Sequence, residues 1–154
     1  MKLCRPSPGD PKVAYPPCKP GNEVLVDGRQ SGDKVFSLTV PCVEPIEASS
    51  ATPVAFDGQH STKLSWVPPK FGKESRVLVR VEPQKAPVMG IIQCDAADSG
   101  VLTIDSTLIS QLREVAGGGG VGIRISRINT ASVAVGAGST SLNMRSDVWL
   151  DGTL

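Results

Sequence analysis

The chain has 154 residues and a formal net charge of +1, from 16 Lys plus Arg against 15 Asp plus Glu, with no run of five like charges. That length fits one domain, which can bury roughly 68–70% of its unfolded surface. The charge balance argues against a nucleic-acid or anionic-membrane partner, and no apolar stretch approaches the roughly 18 residues of a membrane-spanning helix.

Residues 1–22 read as an extended arm, because six of the 13 prolines fall there and each removes a backbone donor. Cys4 and Cys18 bracket the proline-rich "RPSPGDPKVAYPP", while Cys42 and Cys94 lie in the rest of the chain, residues 23–154. The four cysteines contain no C-x-x-C pair and so lack the spacing of a zinc ribbon or finger. Two disulfides would suit an oxidising compartment. Of the three possible pairings, Cys4–Cys18 with Cys42–Cys94 is the expected one, contributing about 3 and about 4 kcal/mol in the chain-entropy account. The alternative is four free thiols packed as small core residues in a reducing compartment. The N-terminus shows no apolar signal core, so an exported form would already have lost its leader.

After Pro20-Gly21 the pattern becomes short alternating runs separated by Gly, Asp, Ser and Pro clusters. Candidate strands cover residues 23–27, 34–40, 52–56, 63–67, 75–83, 88–94, 100–104, 121–128, 131–136 and 142–149. Ten short strands imply an all-β antiparallel sandwich. In "RVLVRV", Val77, Val79 and Val81 take one face, leaving Arg76 and Arg80 toward solvent around Leu78. "GIRISRI" sets Ile123, Ile125 and Arg127 opposite Arg124, Ser126 and Ile128. Trp66 and Trp149, each beside aliphatic neighbours, read as core or core-edge anchors.

One short helix interrupts the strands. Asp105 or Ser106 can cap it, Leu108, Ile109, Leu112 and Val115 form one apolar stripe, and the glycines at 117–120 end it.

Motifs that carry chemistry are sparse. "GGGGVG" at 117–122 matches G-x-G-x-x-G, but it follows a helix and precedes a strand, the reverse of a dinucleotide loop. The single histidine, His60, sits in the turn "DGQHST". A catalytic triad there would need Ser61 or a remote serine, and no G-x-S-x-G elbow supplies one. Asp95 and Asp98 are weak calcium candidates, joined by backbone carbonyls or by Asp27 and Asp33 from another loop, yet they lack D-x-D-x-D-G spacing and read first as turn residues. Six aromatic residues in all are few for a sugar cleft of stacking rings. The residues point to a non-enzymatic protein with no catalytic residue, cofactor or metal assigned.

"LSWVPPKFGKESRVLVRVE", "GIIQCDAADSGVLTIDSTLISQL" and "VGIRISRIN" together resemble a C-terminal pattern of uncharacterised secreted or lipid-anchored proteins of myxobacteria and related bacteria. That pattern runs from a Trp-bearing strand through a strand ending in Cys and an acidic Gly turn to a strand-to-helix step and an "l-x-R" strand. Here it covers Leu64 to about Asn129, with Asp105 where the pattern usually has proline, and "MKLC" is not a convincing lipobox. The resemblance implies an immunoglobulin-like sandwich in an extracellular or cell-envelope location, with no activity attached. The expected function is protein binding or surface assembly through exposed strand edges. The alternative is a calcium- or carbohydrate-dependent binding module using the loops at 27–33, 57–60 and 95–99.

Overall fold

The computed structural model describes residues 19–31, 33–50, 53–71, 74–85, 87 and 90–154. Within them lie β1 (Glu23–Gln30), β2 (Asp33–Pro41), β3 (Val54–Ala55), β4 (Thr62–Ser65), β5 (Arg76–Pro83), β6 (Ile92–Ala97), β7 (Val101–Ile104), α1 (Ser106–Ala116), β8 (Gly120–Val135) and β9 (Gly138–Thr153). The protein is mostly β with one short helix. Among the described residues three sheets form: β1–β2, β4–β7, and a five-stranded sheet in the order β3-β9-β8-β5-β6. All pairings are antiparallel except β3 on β9.

The centre of the large sheet follows from period-two burial. Val77, Val79 and Val81 of β5 and Val121, Ile123 and Ile125 of β8 are completely buried on one face, while Arg76 is exposed and Leu78 and Arg80 are half-buried on the other. Leu64, Trp66 and Ile104 from the β4–β7 region close over that apolar face with Phe56, Ile109 and Leu112. Gly152 on β9 keeps one corner close-packed, since a Cβ there would lie 2.9 Å from both Val121 Cγ2 and Val54 O.

Two sequence expectations change here. The runs at 121–128 and 131–136 are one 16-residue strand, because Asn129 and Thr130 continue the ladder with β9 as far as Val135↔Gly138. Only Gly136 and Ala137 turn, with Gly136 at φ 58° as a primed hairpin turn with a leading glycine requires. β5 pairs β8 only from Val121 to Ile128, so the far half of the β8–β9 ribbon runs beyond it and meets β2 instead. The side chain of Asn129 donates to Pro41 O at 3.1 Å in that contact. Trp149, expected in the core or at its edge, is 58% exposed on the outer face of β9, whereas Trp66 is buried as expected.

The cysteine expectation is corrected in part. Cys94 is a free thiol, so the Cys42–Cys94 bridge is not formed. Its side chain lies on β6 against the core, while Cys42 is buried beyond the end of β2. Cys4 and Cys18, with the rest of the N-terminal arm to residue 18, lie outside the described residues.

Candidate functional site

The acidic turn after β6 is a structural joint. The side chain of Asp98 is fully buried, and its two oxygens accept from Trp66 Nε1 and Ser75 Oγ at 2.7 Å each. Arg127 closes the same carboxylate from Nε at 2.5 Å and Nη2 at 3.3 Å. The guanidinium then donates to the carbonyls of Glu44, Pro45 and Val67. Such a set leaves Asp98 no vacant face for calcium, and it ties β8 to the segments before β3 and after β4. Asp95 points the other way, to an exposed ion pair with Arg76 at 2.7 Å. The two calcium candidates therefore do not converge. Among the described residues no group of three or more metal-ligating side chains forms.

The remaining polar candidates are likewise held by their own turns. Asp27 accepts from Ser37 Oγ and pairs with Lys34, and those bonds hold its carboxyl below the usual range. Asp57 Oδ1 accepts the N–H groups of Gln59 and His60, while Oδ2 meets His60 Nδ1 at 2.8 Å. The His60 side-chain bond, followed by the two backbone bonds, lowers Asp57 to about 2. Ser61, the nearest serine to His60 in sequence, accepts instead from the N–H of Ser106 at the start of α1. A titration of the Asp57 carboxyl by NMR is expected to show a midpoint near 2, and His60→Ala to raise it toward the ordinary 3.8. Because the folded value is the lower one, this turn's stabilisation is present above pH 3.8 and is lost as pH falls through 2.

An open apolar groove lies elsewhere, between α1 and β6. Asp105 caps the helix by accepting from Thr107 N, and Gly117 ends it at φ 72° with its N–H on Arg113 O. Arg113 Nη1 donates to Phe56 O at 2.8 Å and Ser110 Oγ to Gly58 O at 2.6 Å, which fixes the helix's rotation. Ile109 and Leu112 then face the core, while Leu108 and Val115, expected on the same buried stripe, stay 43% and 52% exposed.

Among the described residues β6 ends the five-stranded sheet and pairs only with β5, so alternate N–H and C=O groups along its other edge have no ladder partner there. Ile91, expected inside this strand, precedes it and is also exposed. Gly90, Ile91, Ile92, Leu108, Leu112 and Val115 contribute to the walls of a groove of about 340 Å³. Gly90 lets the chain pass close under the helix: its φ is 83°, and a Cβ there would stand 2.8 Å from Val115 Cγ2. Cys94 lies on the same strand, but burial pushes its thiol up and disfavours the nucleophilic thiolate.

Neither the edge position of β6 nor the uncovered half of the helix stripe is visible in sequence, where all four apolar residues look equivalent. A hint is the stripe's width, four apolar positions on an 11-residue helix of which the core takes two. No helix among the described residues is long and apolar enough to cross a membrane. No family model matches the sequence, and no curated protein or solved structure matches it significantly.

Proposed function

We propose that this chain is a non-enzymatic binding module of the extracellular space or cell envelope, an immunoglobulin-like sandwich that takes an extended segment of a partner protein as a new strand along β6. The observation that carries the reading is the six-residue edge strand beside three exposed apolar side chains, Ile91, Leu108 and Val115. In strand addition the main-chain bonds supply affinity and an adjoining pocket selects alternate side chains. Both parts are present. Exposed apolar residues grouped at one groove are a mark of an interaction surface, whereas scattered ones are ordinary. At about 3.3 Å per residue, β6 offers roughly 20 Å of edge, enough for a five- or six-residue segment.

The non-catalytic part of the reading rests on the polar residues already placed. Asp98 is consumed by Arg127, His60 pairs with Asp57 in an exposed turn, and burial disfavours the Cys94 thiolate. The envelope location rests on the sequence resemblance described above.

The test is selection of displayed random peptides on the full chain. Enriched sequences are expected to alternate apolar residues, and Leu108→Asp or Val115→Asp should weaken them roughly tenfold or more, the effect of losing about 1.4 kcal/mol. Both positions are exposed, so these variants should keep the wild-type unfolding transition. Peptides that bind the two variants as well as wild type would defeat the reading, as would a selection that enriches nothing.

A further inference from the structure

The face of the large sheet turned away from α1 carries an independent feature. Four cross-strand rows run over it, and one of them is Glu82–Gly122–Asp151, since Gly122 is paired with Glu82 on β5 and with Asp151 on β9. With no side chain at Gly122, a depression of about 260 Å³ opens between the two carboxylates, walled by Trp149 and Gln84. The next row brings Arg80, Arg124 and Trp149 together. The Arg124 guanidinium lies over the indole at 5.3 Å from its centroid, with Nε buried and unpartnered among the described residues. Trp149 still exposes 58% of its surface.

We infer that this depression is a binding site for a neutral saccharide, with Trp149 as the stacking platform and Gly122 as the floor. A pyranose ring has an apolar C–H face that suits an exposed indole and a rim of hydroxyls that need acceptors and donors. Glu82, Asp151 and Gln84 provide them: Glu82 is braced by Arg80 at 2.8 Å and Asp151 by Gln84 at 3.3 Å, and each carboxylate keeps further acceptor capacity. Charge selects among ligands. Arg80 and Arg124 offset Glu82 and Asp151, so the site holds no net charge to attract an ionic sugar. A cationic ligand on the ring would meet the repulsion of Arg124 already stacked there. A protein hot spot is disfavoured because Glu82, Gln84, Arg124 and Asp151 stand around the indole beside Pro83 and Leu150, without the continuous apolar surround that excludes water.

The site shares no residue with the α1–β6 groove, so the two can fail separately. The test is a fluorescence titration of the full chain with the neutral hexaoses of β-1,4-glucose, β-1,3-glucose, xylose, mannose and N-acetylglucosamine, with heparin and polygalacturonate as charged controls. One neutral series is expected to change the emission of Trp149, the exposed indole of the two. Trp149→Ala and Gly122→Val should each weaken binding of that series roughly tenfold or more. Both replace residues on the outer face, and valine suits a strand, so unfolding should be unchanged; Leu108→Asp should leave sugar binding intact. Silence across the neutral panel, binding that survives both variants, or binding of the charged polymers alone would overturn the inference.

Discussion

Arg127→Ala is expected to lower stability by about 3–5 kcal/mol, the cost of removing one partner from a buried ion pair. The size follows from what remains: the Asp98 carboxylate would stay buried with two neutral donors, and the carbonyls of Glu44, Pro45 and Val67 would lose theirs. Asp98→Ala should cost as much, because it strands the guanidinium and the Trp66 indole N–H. For a chain of this length each kcal/mol moves Tm by about 2–4 °C, so the loss is roughly 6–20 °C. Arg127→Lys should not rescue it, since an ammonium cannot reach the carboxylate and three carbonyls in one planar fork. The double variant Asp98→Leu with Arg127→Met should be less damaging than the sum of the two alanine changes, since no charge is left unpaired. Chemical unfolding checks all of these, and single variants within about 1 kcal/mol of wild type would show that the joint is unimportant.

Phe56→Ala is the second large effect, at about 3–5 kcal/mol. The side chain is 1% exposed within the main core. It also anchors its own backbone, donating from N to Thr153 O at 2.8 Å and accepting Arg113 Nη1 at O. The first bond continues the β3–β9 contact and the second holds α1. Removing the ring therefore leaves a cavity beside the residues that set the helix's rotation, and groove binding should weaken along with stability. Phe56→Leu, nearer in volume, should cost less than the alanine change and preserve binding.

Local patterns in the sequence carried the interior well. The alternation of "RVLVRV" and "GIRISRI" placed Val77 through Val81 and Ile123 through Arg127 correctly, and the Asp105 cap and Gly117 stop bounded the helix. What sequence could not carry was adjacency. Trp149 has the same aliphatic neighbours as a core tryptophan, yet the strand's parity turns it outward beside Arg124. Asp98 reads as one more turn aspartate until Arg127, 29 residues on, is seen to close on it. The long β8–β9 ribbon was hidden because Asn129 and Thr130 look like a turn, although the first is buried and bonded to Pro41. Leu108 and Val115 were assigned to the core because a helical stripe shows which residues share a side, not how far a neighbouring sheet extends beneath them.

The most direct test of strand capture is backbone hydrogen exchange of β6, measured by NMR on the full chain with and without a peptide selected on its groove. In an antiparallel ladder every second residue directs its N–H to the partner strand. The alternate amides among Ile92–Ala97 that face away from β5 are expected to become protected when the peptide binds, together with shifts at Leu108 and Val115. Protection appearing at another edge, or a bound peptide that leaves those β6 amides exchanging as before, would contradict it.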